Sequence, residues 1–213
     1  ALVNHAPNGW RLAALGELCN INPARPRDFK RDPDTPTTFV PMEAVDEVTG
    51  TITGAVFRPY QEVARGYTYF AEGDIIFAKI TPCMQNGKTA IATSLADCVG
   101  FGSTEFHVLR PNPGVCGLWI YLLLRTAEFR KLAEENFEGS AGQRRVPDLF
   151  LREVRVPIVD DPQDQERLAA ELQRELERVY AMRRATERQL EAISAFPAAM
   201  LREFFSFGGQ VNG

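Results

Sequence analysis

The sequence predicts a mixed α and β domain followed by a long coiled-coil α-helix and a short C-terminal helix. Three observations point to this. Short runs rich in Val, Ile, Thr and Phe alternate with turn residues as far as Pro157. One stretch inside that region has apolar residues at helical spacing. After Pro157 strand and turn signals stop, and no Gly or Pro occurs between Pro162 and Pro197. The expected divisions are residues 1–157 for the domain, 158–206 for the helical part and 207–213 for a flexible Gly-rich tail.

The strands are expected at 38–43, 51–57, 74–79, 89–93, 104–109 and 154–158, each bounded by Gly, Pro, Asn or Asp. Between the fifth and sixth, 115–136 reads as one amphipathic helix, with Leu118, Leu122, Phe129 and Leu132 on its apolar side. Its first half is apolar nearly all round, which places it in the core. Asp160-Asp161-Pro162 then opens the long helix, with acidic residues at its N-terminal end and Pro near the first turn.

A heptad register runs along that helix through Ala169, Leu172, Leu176, Val179, Arg183, Thr186, Leu190 and Ile193, with spacings alternating between three and four. Polar Arg183 and Thr186 in the seam weaken association while fixing register or partner choice. From Pro162 to Ala195 the rod would be about 50 Å long, so much of it is expected to project and to need a partner helix. Pro197 is expected to end or kink it, leaving 198–205 as a short helix with Met200, Leu201, Phe204 and Phe205 on its apolar face.

Length and composition agree with this organisation. A chain of 213 residues with 45% hydrophobic and 24% charged residues accommodates one domain with an appendage. The apolar run from Leu118 to Leu124 is far short of the roughly 20 residues that cross a bilayer, and the N-terminus has no signal-like pattern, so the expected compartment is the cytoplasm. Cys19, Cys83, Cys98 and Cys116 form no C-x-x-C pair and read as reduced, small apolar residues; no metal site and no cofactor are expected. The net charge is −4, which argues against a broadly basic surface. Residues 1–157 carry 17 Lys+Arg against 18 Asp+Glu, and 158–213 carry 7 against 10, so local basic patches remain open in the domain.

Catalytic signals fail when tested. Gly87-Lys88-Thr89 resembles the end of a phosphate-binding loop, but Pro82 stands where that loop needs its first Gly. His5 and His107 are far apart and suggest no triad. Glu72 and Asp74 before Lys79 lack a second acidic ligand at close strand spacing, and no G-x-G follows a strand as a methyl-donor site would need.

Two segments instead concentrate side chains suited to nucleic acid. The loop from Lys79 to Lys88 holds Thr81, Gln85 and Asn86 between its lysines: amides match adenine edges, and lysines match phosphate or guanine. The segment from Gly139 to Pro147 sets Gln143, Arg144 and Arg145 beside small residues that permit close backbone approach.

At these residues the sequence resembles the specificity subunits of type I restriction-modification systems. The resemblance rests on Trp10-Arg11-Leu12 with Leu15-Gly16-Glu17-Leu18-Cys19, on Gly73 through Pro82 followed by Asn86-Gly87-Lys88, and on Gly102 through Pro111. It continues with Gly142-Gln143-Arg144-Arg145-Val146-Pro147, Val156-Pro157-Ile158, Gln165-Glu166-Arg167-Leu168, and Phe196-Pro197 through Phe204-Phe205-Ser206.

The resemblance implies a target-recognition domain that reads one half of a bipartite double-stranded DNA site. It also implies a helix that acts as spacer and as docking surface for methyltransferase subunits, and through them the restriction subunit. The chain itself would be non-catalytic. One domain-plus-helix unit, where the family has two, implies a half-subunit, natural or truncated, whose copies pair through their helices or whose other half is a different chain. Since shared segments in such proteins tend to be scaffold, Lys79, Thr81 and Lys88 would serve phosphates or the fold, and Ser103, Thr104 and Glu105 would brace the domain. Arg58, Arg65 and Tyr67, and the Pro-rich segment with Arg25, Arg27, Lys30 and Arg31, are then equally eligible to touch DNA. The competing readings are a recognition domain of a different restriction or methylation machine, and a coiled-coil assembly adaptor that binds no DNA.

Overall fold

The computed structural model describes residues 6–140 and 143–207. β1 (Arg11–Ala14) turns through the single-turn helix α1 (Leu15–Leu18) into β2 (Cys19–Ile21), and an irregular Pro-rich segment leads to β3 (Pro36–Val40). β4 (Val56–Pro59), α2 (Tyr60–Val63), β5 (Thr68–Ala71), β6 (Ile75–Ala78), β7 (Thr89–Ile91), β8 (Val99–Gly102) and β9 (Phe106–Pro111) follow. The rest is α3 (Gly117–Leu124), α4 (Ala127–Glu135), α5 (Asp148–Glu153), β10 (Arg155–Ile158) and the 46-residue helix α6 (Pro162–Phe207).

By internal packing the chain divides into two units, Ala1–Ala170 and Glu171–Gly213. The first turns of α6 therefore fold with the strands. Gln165 is buried there: its Oε1 accepts from the Cys116 N–H at 2.9 Å, and its Nε2 donates to the Val159 carbonyl at 2.9 Å.

Two four-stranded sheets build the first unit. One has the order β2-β9-β6-β7 and is antiparallel throughout; the other has the order β4-β3-β8-β5, with only β3 and β8 parallel. A core cluster draws on both sheets, with Val40, Phe70, Ile76, Ala78, Ala90, Phe106 and Val108 among its members. All four residues of β6 are buried because α3 packs on the same sheet, which explains the unbroken apolar run there. Asp74 just before β6 is also buried, and Arg110 on β9 meets it with two hydrogen bonds of 2.7 Å. A separate ribbon pairs β1 with β10, from Arg11 opposite Ile158 to Ala14 opposite Arg155, so the two ends of the α/β unit leave it side by side. Trp119 fastens that ribbon, donating from Nε1 to the Pro157 carbonyl at 3.0 Å and packing on Trp10.

Several expected boundaries move. The run at 38–43 is β3, ending at Val40; Pro41 has no N–H for the ladder, and Met42–Ala44 form a tight turn. The run at 51–57 shortens to β4, since of 51–55 only Ile52 pairs, bridging to Val45. β1, β2, β5 and β8 lie outside the expected set. The single helix at 115–136 is two, because the Thr126 side chain caps a new start by accepting the Phe129 N–H at 3.2 Å. The helix does not end at Pro197 either, and no separate short helix follows it: α6 runs through Pro197 to Phe207. Proline removes one backbone donor, and the helix formers around it, Ala195, Ala198, Ala199, Met200 and Leu201, carry the helix past that gap. Of the tail expected at 207–213, Phe207 still belongs to α6, and 208–213, like His5, lie outside the described residues.

Candidate nucleic-acid interface

The fold brings the two expected recognition segments together. The Thr81 N–H donates to the Arg144 carbonyl at 3.1 Å, the Val146 N–H donates to the Lys79 carbonyl at 2.9 Å, and Ile80 bridges Arg145. Their side chains divide by employment. Lys88 donates its Nζ to the Val45 carbonyl at 2.7 Å, and Gln85 is hydrogen-bonded to Glu134, so both hold the fold. Arg145 grips Glu105 through two hydrogen bonds of 2.8 and 2.7 Å, which keep the Glu105 carboxyl below its usual range. Arg144 lies over the Phe137 ring at 5.3 Å and donates to that residue's carbonyl at 3.3 Å. By contrast, the side chains of Lys79, Thr81, Asn86 and Gln143 make no hydrogen bond or ion pair among the described residues.

A second group lies on the β4-β3-β8-β5 sheet, on the face that carries Phe39 and Phe101. The Arg58 guanidinium sits 4.2 Å above the Phe39 ring, and Tyr67 meets the same ring edge-on at 4.7 Å. Tyr69, Phe101, Tyr60 and Phe29 continue the aromatic layer. Arg25 closes its far side, donating to the Tyr60 hydroxyl at 2.8 Å and the Ala64 carbonyl at 3.1 Å. Arg31 is spent on Thr37, the Pro36 carbonyl and Asp97, whereas Arg27, Lys30 and Arg65 have no hydrogen-bond or ion-pair partner among the described residues.

An open cleft of about 230 Å³ connects the two groups, since Lys79 lines it together with Asn22, Pro23, Thr68, Tyr69, Phe106 and Val108. Behind its wall, buried His107 bonds through Nε2 to the Val146 carbonyl at 2.7 Å and through Nδ1 to the Asn22 amide at 3.0 Å. Burial, chiefly, lowers the His107 pKa, so its ring is held neutral as a structural link. Of the aromatic layer the sequence marks only Tyr67, and it does not mark Asn22. The interleaving of Phe57, Arg58, Tyr60, Arg65, Tyr67 and Tyr69 is the signal that could have revealed the layer, and nothing comparable marks Asn22.

On α6 the heptad residues Leu172, Val179, Leu190 and Ile193 are exposed, at 42%, 52%, 64% and 69%. Arg183 and Thr186 satisfy themselves within the helix, on Glu187 and the Met182 carbonyl. Leu176 is half-buried and Ala169 buried. Among the described residues no helix is long and apolar enough to cross a membrane, and no group of three or more His, Cys, Asp or Glu is placed to hold a metal ion.

Fold and site together define a domain that offers unspent donors and aromatic faces, joined to a helix with an uncovered apolar seam. The chain is a relative of the type I restriction enzyme specificity subunits. It is 37% identical over 153 residues to the EcoEI specificity subunit of Escherichia coli, covering 71% of this chain and 25% of that protein. It is 35% identical over 163 residues to the Escherichia coli EcoAI specificity subunit, covering 76% and 27%. The chain thus spans about a quarter of the length of these relatives. No family model matches it. Among solved structures, the HsdS subunit of Thermoanaerobacter tengcongensis is similar at 25% identity with a TM-score of 0.67, over 92% of this chain and 48% of that one. A chain from a structure of type I restriction-modification complex assembly and conformational transition shares the fold, with a TM-score of 0.77 at 24% identity over 94% of this chain and 50% of that one.

Proposed function

We propose that this chain recognises double-stranded DNA as the specificity component of a type I restriction-modification assembly. In this reading its α/β unit reads one half of a bipartite target, and α6 meets methyltransferase subunits, and through them the restriction subunit. The chain makes and breaks no bond itself. The supporting observation is the division of labour among the polar side chains. Lys88, Gln85 and Arg145 are consumed by the fold, while Lys79, Asn86, Gln143, Arg58 and Arg65 hold donors that no described residue accepts. Free donors suit phosphates and base edges, Lys79 among them lines an open cleft, and local donors of this kind are compatible with a net charge of −4.

The seam of α6 would be buried against a second helix of the same kind, from another copy or from a different chain. Two copies would present identical recognition surfaces to a two-fold symmetric site. Methylome sequencing of cells expressing this chain with a methyltransferase partner tests the function. The expected result is a bipartite modified motif that changes when this chain is exchanged; a motif indifferent to the exchange refutes the reading.

A further inference from the structure

We propose that Arg58 touches DNA directly, its guanidinium held over the Phe39 ring, which Tyr67 packs against edge-on. This rests on the function proposed above and deepens it. β4 pairs Val56 with Phe39 and Arg58 with Thr37, so alternation puts Val56, Arg58 and Phe39 on one face of the sheet. Phe39 is 4% exposed and is a fixed platform, whereas Tyr67 is 38% exposed at its edge. With its central carbon 4.2 Å over the ring centroid, the guanidinium is held by a contact that uses none of its N–H groups.

That distinguishes Arg58 from its neighbours. Arg31, Arg110 and Arg145 give their N–H groups to Asp97, Asp74 and Glu105, but Arg58 has no hydrogen-bond acceptor or carboxylate partner among the described residues. A planar fork with a restricted set of rotamers and free donors suits a pair of acceptors in fixed geometry. Duplex DNA supplies such a pair as the two free oxygens of a phosphate, or as O6 and N7 of a guanine. Ordering the side chain before the encounter also removes part of the entropy lost on binding.

Fluorescence anisotropy of the full chain on a mixed-sequence 30-base-pair duplex, over a sodium chloride series, provides the test, together with selection from a duplex pool with a randomised centre. The unaltered chain is expected to bind, and Arg58→Ala to weaken binding to the selected duplex by about tenfold. Arg58→Lys keeps the charge but loses the fork, and is expected to recover only part of that loss. Phe39→Leu keeps the arginine and removes its platform; it is expected to weaken binding, with Phe39→Tyr restoring it. If the partner is a phosphate, Arg58→Ala lowers the slope of log affinity against log salt by about 0.9. If it is a guanine, the slope holds and the selected motif relaxes at one base pair. Should both Arg58 variants match the unaltered chain in affinity, slope and motif, the assignment is overturned while DNA recognition stands. Should the unaltered chain bind no duplex, both fall.

Discussion

Asp74 is 2% exposed, and its charge is tolerable because Arg110 meets it with two parallel hydrogen bonds while the Ala71 N–H supplies a third at 2.7 Å. Removing the arginine leaves a buried carboxylate without its counter-ion. Arg110→Met is expected to cost roughly 3 kcal/mol, read as a lower midpoint in urea; a change below about 1 kcal/mol would show that water reaches Asp74. His107 supplies a second test. Its folded pKa is lowered, so the unfolded chain takes up the proton first, and the neutral ring's contribution is complete above about pH 6.5. Stability should fall as pH drops from there towards the lowered value. Urea midpoints at pH 7.5 and 5.5 measure this, and an equal drop in His107→Gln would assign the effect to other groups. Individual side chains are the level least legible in the sequence. Lys79, Lys88, Gln85 and Arg145 are alike in sequence as polar side chains near glycines, and only their partners in space, Val45, Glu134 and Glu105, separate the occupied from the free.

Strand β8 shows why some elements escape a reading of local pattern. Val99-Gly100-Phe101-Gly102 looks like a turn, yet its glycines are there because a Cβ on Gly100 would run into the Phe70 ring and one on Gly102 would lie 2.6 Å from the Val40 carbonyl oxygen. Phe70 is fully buried and cannot retreat, so Gly100→Ala is expected to destabilise the unit by about 2 kcal/mol. Thermal unfolding is the measurement, and an unchanged midpoint would contradict the packing. The long helix and the strongly apolar strands β6, β9 and β10 could be recognised because periodicity and hydrophobic runs act over neighbours in sequence. β1 and β2 could not: Arg11-Leu12-Ala13-Ala14 and Cys19-Asn20-Ile21 become strands only through Pro157 and Leu109, far along the chain. The split between α3 and α4 turns on one hydroxyl. Thr126→Ala should cost about 1 kcal/mol, and a smaller effect would mean that the cap merely accompanies the break.

At the scale of the whole molecule, the exposed heptad residues of α6 carry the expectation of association. Light scattering should give a mass that rises with concentration, and Leu190→Lys together with Ile193→Lys should return it to that of one chain. A single-chain mass for the unaltered protein at tens of micromolar would mean that the seam awaits a different protein. The pairing of β1 with β10 has a consequence of another kind. Because the backbone arrives and departs through one hydrogen-bonded doorway, the stretch between Arg11 and Ile158 is closed into a loop whose two ends hold each other. A loop closed that way should survive a single backbone cut at an exposed turn, because the paired strands keep the two fragments together.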